Sequence, residues 1–124
     1  MEESRQWPAE WMRGALSLCV LAIVVEGETY GYAVAQRLQA AGLGVVKGGT
    51  LYPVLTRLEV DGLVTSTWRE GAAGPGRKFF TATAAGRGEL HRRAADWETF
   101  TDRVAAIANP QESRQSTGST KDDA

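Results

Sequence analysis

The sequence has one cysteine and one histidine in 124 residues, and this scarcity excludes two ways of stabilising a small protein. A single cysteine cannot build a disulfide framework within the chain. One cysteine and one histidine also argue against a structural zinc site, which takes four Cys or His ligands. We therefore expect no metal and no cofactor, and a fold held together by its apolar core.

Long hydrophobic runs are also absent. The most apolar stretch, Ala15 to Val25, is interrupted only by Ser17 and is too short to cross a bilayer, which takes about 20 residues. The first residues, Met1 to Arg5, do not form the basic start of an export signal. We expect no membrane association and, with one reduced cysteine, a cytoplasmic location.

The chain carries almost no net charge, with 14 basic and 15 acidic residues. Attraction to nucleic acid would therefore need a local patch. Residues 29–80 contain six basic and three acidic side chains, so this segment is at +3 and the rest of the chain at −4. The basic residues of the segment are Arg37, Lys47, Arg57, Arg69, Arg77 and Lys78. The distribution predicts a basic surface on a chain that is slightly acidic overall.

The first predicted helix, 9–25, begins just after Pro8 and stops before Gly27. Its second half is apolar on nearly every face and must be covered on every face. Either a partner chain covers it or it lies at the centre of the core. We assign its residues Leu16, Val20 and Ile23 to a dimer interface.

Two shorter helices follow. Thr29 is predicted to cap a helix over 30–41 that ends at Gly42, and Thr50 to cap a helix over 51–60. Pro53 then falls in the first turn of the second of these, where its missing N–H costs no hydrogen bond. The apolar residues at i, i+3, i+4 and i+7 of that helix form its inner face: Leu51, Val54, Leu55 and Leu58.

The second half of the chain predicts a hairpin and a long helix. Residues 63–70 and 77–82 are strand-like and flank a six-residue tip, 71–76, rich in glycine. Thr83 is predicted to cap a helix over 84–108, and residues 109–124 are expected to be disordered. A stripe with spacings of three and four residues runs along this last helix: Leu90, Ala94, Trp97, Phe100, Val104 and Ile107. Such a stripe is typical of a helix that pairs with a second chain.

Helices followed by a hairpin with a glycine tip predict an α+β, mostly α fold: a winged helix-turn-helix over 9–82 with a dimerisation helix over 83–108. In this fold the third helix enters the major groove and the wing approaches the DNA backbone. The outer face of that helix offers Thr50, Thr56 and Arg57, and the wing offers Arg77 and Lys78. No catalytic constellation is visible, so we do not expect an enzyme.

These residues resemble the PadR-like family of bacterial transcriptional regulators over about residues 13–107. The resemblance is carried by Arg13-Gly14-Ala15-Leu16, Tyr30-Gly31-Tyr32, Gly49-Thr50-Leu51-Tyr52-Pro53, Arg57-Leu58-Glu59, Asp61-Gly62-Leu63 and Gly76-Arg77-Lys78. Three positions depart from the family pattern. Gly48, after Lys47, stands where the family often has a polar or acidic residue before Gly-Thr. Phe79 and Phe80 stand where tyrosines are usual, which removes two hydroxyls but keeps the rings.

The resemblance implies a homodimer, joined through the first and last helices, that represses transcription from double-stranded DNA. The single C-terminal helix is similar to that of the smaller subfamily, which includes multidrug-sensing repressors. With the reasoning above, the predicted DNA-binding set is Tyr30, Tyr32, Lys47, Thr50, Tyr52, Pro53, Thr56, Arg57, Gly76, Arg77 and Lys78. The predicted dimer interface is Leu16, Val20, Ile23, Leu90, Trp97, Phe100, Val104 and Ile107.

Three questions stay open at this point. The tyrosines at 30, 32 and 52 either contact phosphate or pack one helix on another. Trp97, with Trp11 near it, either stacks on a small planar aromatic ligand at the dimer centre or only fills the interface. The alternative to a DNA-binding regulator is a winged-helix module that binds protein, which the retained Arg57, Arg77 and Lys78 argue against.

Overall fold

The computed structural model describes residues 5–71 and 74–110. In these residues the elements follow in the order α1 (Ala9–Glu26), β1 (Thr29–Tyr30), α2 (Gly31–Ala40), α3 (Gly48–Val60), β2 (Val64–Gly71), β3 (Gly74–Ala82) and α4 (Ala84–Ala108). The strands form one antiparallel sheet in the order β1-β3-β2. The predicted fold class, mostly helical with a small winged sheet, is confirmed.

The core lies between α1, α2 and α3 and one face of the sheet. Its fully buried side chains include Val20, Leu21, Val24, Val34, Leu38, Leu51, Leu55, Leu58, Val64 and Phe80. The predicted inner face of the third helix is thereby confirmed, with Val54 only half-buried. Burial of these apolar side chains is the main source of stability for a domain of this kind.

Helix α1 is the central helix of this core, and that corrects part of the predicted dimer interface. Leu16, Val20 and Ile23 are 3%, 0% and 8% exposed within the single chain. Side chains already buried in their own core have no surface left for a partner. The half-buried or exposed stripe of α1 lies on another face and consists of Trp11, Ala15, Leu18 and Ala22.

Thr29 does not cap α2, contrary to the sequence prediction. Thr29 and Tyr30 form β1 and pair with Phe80 and Phe79 of β3. Their backbone groups find partners in the sheet, and Tyr30, in an extended conformation, becomes the residue that precedes α2. The short strand ties the start of α2 to the wing.

Helix α3 begins earlier than predicted. The N–H groups of Thr50 and Leu51 both bond to the Lys47 carbonyl at 2.9 Å, so the helix starts at Gly48 and Thr50 lies inside its first turn. Pro53 is therefore inside the helix and leaves the carbonyl of Gly49 without its usual partner. Gly49 is exposed, so water can reach that carbonyl.

The wing strands extend further than the sequence indicates. Pairing continues to Gly71 opposite Gly74, with an irregularity between Arg69 and Gly71, so most of the predicted six-residue tip belongs to strands. Gly76 lies in β3, where an added Cβ would stand 2.8 Å from the Arg69 carbonyl oxygen. The close approach of the two strands explains the glycine at this position.

Helix α4 starts where predicted. The Thr83 hydroxyl accepts a hydrogen bond from the Gly86 N–H at 2.9 Å and donates to the Gly62 carbonyl at 2.8 Å.

The boundary between two compact units falls inside α4, after Leu90, rather than at the predicted domain boundary before residue 83. The predicted disordered tail lies outside the described residues from position 111 onward.

Candidate nucleic-acid interface

The outer face of α3 is exposed and polar at its centre. Thr50, Pro53, Thr56 and Arg57 all face solvent, whereas their neighbours on the inner face are buried. The Arg57 side chain is 78% exposed, and its Nε lies 3.5 Å from an Asp61 carboxylate oxygen. An exposed ion pair of this length contributes little stability, so the guanidinium is available to a ligand.

The three tyrosines divide between packing and exposure. Tyr30 is half-buried and packs edge-on against Phe79, with the ring centroids 5.3 Å apart. Tyr32 is 64% exposed, and its hydroxyl accepts a hydrogen bond from Gln36 at 3.2 Å. Tyr52 does both, because its ring lies against Gly31 while 48% of the residue stays exposed.

Tyr32 and Tyr52 border one shallow cleft. The cleft has a volume of about 370 Å³ and also contacts the start of α3 at Gly48. An added Cβ on Gly31 would overlap the Tyr52 hydroxyl, so Gly31 allows the ring to approach α2. These contacts hold two phenol groups at the surface beside the first turn of α3.

Arg77 lies on the outer face of the sheet, presented by aromatic rings. Its guanidinium carbon is 4.5 Å from the centroid of the Tyr30 ring. Opposite it in register, Arg69 covers the Phe79 ring at 4.4 Å and bonds to Glu28 at 2.5 Å. Stacking of this kind orients a guanidinium while leaving its N–H groups free to donate. Tyr30 therefore acts here as a support for Arg77.

Lys78 points the other way. Adjacent residues of a strand face opposite sides of the sheet, so Lys78 shares the face of buried Phe80 and not that of Arg77. Its Nζ lies 3.5 Å from a Glu59 carboxylate oxygen at the end of α3, and its side chain is only 32% exposed. The sequence suggested that the wing presents Arg77 and Lys78 together, but the two side chains lie on opposite faces of the sheet.

Residues 29–80 carry three more basic than acidic side chains, but acidic residues outside this segment pair with some of the basic ones. Arg37 forms two hydrogen bonds to Glu26, at 2.7 and 3.1 Å, and Arg69 bonds to Glu28; both acids precede the counted segment. The bonds to Glu26 raise the pKa of the Arg37 guanidinium. Of the six basic residues, Lys47 and Arg77 have no carboxylate at salt-bridge distance within the described part of the chain.

Residues before α1 form hydrogen bonds with the turn that leads into α3, and the sequence did not predict these contacts. Gln6 accepts a hydrogen bond from the Val45 N–H at 2.5 Å and donates to the Val45 carbonyl at 3.3 Å. The Trp7 indole N–H donates to the Gly42 carbonyl at 2.8 Å. Gly44, at φ 83°, leaves the room that Gln6 occupies. These contacts fix the turn just before Lys47.

The apolar stripe of α4 is largely exposed. Phe100, Val104 and Ile107 are 57%, 48% and 83% exposed, and the Trp97 ring is half-buried at 5.9 Å from the Phe100 ring. Leu90 instead packs against the core. In α1, Trp11 is 58% exposed and stacks on Trp7 at 6.2 Å.

In the ranges 5–71 and 74–110, no three acidic, histidine or cysteine side chains form a group that could hold a metal ion. Burial raises the pKa of the Cys19 thiol and so lowers its thiolate fraction. No helix in these ranges is long and apolar enough to cross a membrane.

The sequence matches a family model over residues 20–92, from the middle of α1 into α4. That model describes the transcriptional regulator PadR-like family. The chain belongs to this family. It is therefore a transcriptional regulator and not an enzyme.

Individual transcriptional regulators support the assignment. The chain is 40% identical over 89 residues to the transcriptional regulator Rv3488 of Mycobacterium tuberculosis, covering 70% of this chain and 81% of the relative. A PadR family regulator from Eggerthella lenta superposes with a TM-score of 0.73 at 34% identity, covering 82% of this chain and 88% of the other.

Bacillus subtilis PadR, solved in complex with operator DNA, superposes with a TM-score of 0.58 at 26% identity. The match covers 67% of this chain and 45% of the other.

Proposed function

We propose that this PadR-like regulator binds operator DNA through α3 and the wing. The observation that carries the proposal is the exposed polar face of α3, together with the exposed Arg77 on the outer face of the wing. Bacillus subtilis PadR, which has a similar fold, was solved in complex with operator DNA, and this supports DNA binding by the fold. A protein that binds operators on the chromosome would be located in the cytoplasm, where that DNA is.

The side chains differ in what they can recognise. Arg57, on the outer face of α3, reaches base edges or the groove wall, where its planar fork matches the two acceptors of guanine. Lys47 precedes α3 and Thr50 lies in its first turn, which carries neither an acidic residue nor a side-chain cap. The backbone N–H groups of Gly48 and Gly49 at this helix end, like the Arg77 guanidinium, suit phosphate. The outer face of α3 carries no Asn or Gln, so paired recognition of adenine is not expected there.

We infer that the protein is a homodimer that binds an inverted repeat. Residues 9–82 would form the DNA-binding domain, and residues 83–108 would form the helix through which the two chains dimerise. The exposed stripe of α4 and the stripe of Trp11, Ala15, Leu18 and Ala22 on α1 are apolar surfaces that a second copy would cover. Two reading heads related by a two-fold axis require two half-sites, with centres about one or more turns of roughly 10 bp apart.

Repression, with release by a planar ligand, is the regulatory mode that we propose. Near a two-fold axis Trp97 approaches its own copy, and two indoles across a gap accept a flat aromatic or cationic molecule. The exposed Trp11 offers a further ring. Such a ligand releases the operator only if it binds the DNA-competent and incompetent states with different affinity.

Calorimetric titration with planar aromatic dyes tests this mode. We expect wild type to bind them and Trp97→Ala to bind at least about fivefold more weakly, because the substitution removes two stacking contacts of about 0.5–2 kcal/mol each. Heat replaces tryptophan fluorescence as the signal because the substitution removes the indole whose quenching would report binding. Equal affinity in the two proteins would leave Trp97 with a packing role only.

DNA binding itself is tested by titrating genomic fragments at two salt concentrations. We expect salt-sensitive binding to a small subset of fragments, since phosphate contacts release counterions. A winged-helix module that binds only protein would retain none of the fragments at either salt concentration.

Replacing Arg57 with alanine should reduce operator preference. If its contact to guanine is bidentate, the loss is about 1–3 kcal/mol, while affinity for unrelated DNA falls much less. Arg37→Ala is the matched control, because it removes the same charge from an arginine that pairs with Glu26 on α1. Unchanged operator preference in Arg57→Ala would exclude base recognition by this residue.

A further inference from the structure

Glu59, in the last turn of α3, contacts both long strands of the wing. One carboxylate oxygen accepts a hydrogen bond from the Ser66 hydroxyl on β2 at 2.6 Å. The other lies 3.5 Å from Nζ of Lys78 on β3. A single side chain thereby connects the helix that faces the groove to the two strands that carry the wing.

The position of these groups gives the contact more weight than a surface ion pair has. The Lys78 and Glu59 side chains are only 32% and 34% exposed, and the Lys78 ammonium lies 5.7 Å from the ring of buried Phe80. Partial removal from water weakens screening and strengthens the attraction between the two charges. The Ser66 hydroxyl, also half-buried, fixes the direction of the carboxylate.

We propose that Glu59 is a positioning residue that holds the wing against α3 and keeps the charge of Lys78 out of the DNA contact. This inference rests on the proposed DNA-binding function and adds a division of labour to it. Arg77 contacts phosphate, while Lys78 neutralises Glu59 and sets the distance between the wing and the groove-facing helix. A wing fixed in this way favours a matched operator over unrelated DNA.

The salt dependence of DNA binding separates the two cations. Log K falls as log salt rises, and each lost phosphate contact reduces the steepness of this fall, the salt slope, by about 1. We expect Arg77→Met to lower the slope by about 1, and Lys78→Met, which keeps the aliphatic stem, to reduce operator affinity without changing the slope.

Replacing Glu59 itself should produce the opposite effect. Glu59→Gln keeps the size of the side chain but releases Lys78, so we expect the slope to rise by about 1. Affinity for unrelated DNA should rise and operator preference should fall. The double variant Glu59→Gln, Lys78→Met should return the slope to the wild-type value, which a purely structural role of Glu59 would not produce.

Glu70→Gln is the matched control, since it removes an exposed carboxylate from the same wing. It should leave the slope unchanged because Glu70 has no ion pair with any residue in the ranges that the structure describes. A drop of about 1 in Lys78→Met, or an unchanged slope in Glu59→Gln, would overturn the inference.

Amide hydrogen exchange without DNA distinguishes failure of this inference from failure of the proposed function. Glu59→Gln should speed exchange in the paired part of β2 and β3 several-fold relative to Glu70→Gln, while the core of α1 stays protected. Equal exchange in the two variants would refute the positioning role even if wild type bound no DNA. Thermal melting checks that each variant is folded.

Discussion

Val104→Glu is expected to convert the protein from a dimer to a monomer. Val104 is 48% exposed in the single chain and lies in the apolar stripe of α4 that we assign to the partner. Burying an unpaired carboxylate costs several kcal/mol, and a two-fold interface repeats the cost. A penalty of about 3 kcal/mol weakens dimerisation more than 100-fold. Sedimentation or light scattering at several concentrations measures the change.

Ala95→Glu is the control for this substitution. It adds the same charge to an exposed position of α4 about two and a half turns earlier, on the opposite side of the helix. The control should remain dimeric. A Val104→Glu protein as dimeric as the control would show that the stripe is not the interface.

Gly86→Ala is expected to have the largest effect on stability. Gly86 is buried in the first turn of α4, where an added Cβ would overlap the carbonyl oxygen of Leu63. The obstacle is backbone and cannot rotate away, so we expect a loss of about 3 kcal/mol. For a domain of this size the melting temperature should fall by roughly 10–15 °C.

Gly49→Ala provides the comparison in a thermal melt without DNA. Gly49 is also helical, but an added Cβ meets nothing within 4 Å. It should leave the melting temperature unchanged or raise it slightly, because alanine favours helix over glycine. Similar melting of the two variants would contradict the close packing of α4 on Leu63.

Local patterns predicted the four helices and the cap of α4, but not the first residues of α2 and α3. The spacing of apolar residues in α3 identified the buried face, and Thr83 was recognised as the cap of α4 and forms the predicted bonds. Such signals come from neighbouring residues, so the sequence displays them directly. The outer face of α3 follows from the same periodicity, which is why Arg57 was predicted to be exposed.

Contacts between distant residues were not predictable in this way. The strand β1 is two residues long and pairs with residues about fifty positions later, so it carries no pattern of its own. The ion pair between Lys78 and Glu59 depends on which face of β3 packs on α3. Because α1 is apolar on nearly every face, its sequence does not show which face packs in the core of its own chain. Leu16, Val20 and Ile23 were therefore predicted at the dimer interface, whereas they are buried in that core.

Footprinting of an operator fragment recovered from genomic DNA tests the central claim most directly. We expect two protected segments related by two-fold symmetry, with centres separated by one or more turns of roughly 10 bp. Protection should weaken with salt, and the two segments should be lost together in Val104→Glu. A single asymmetric protected segment, or equal protection of every fragment, would contradict a dimeric regulator that reads an inverted repeat.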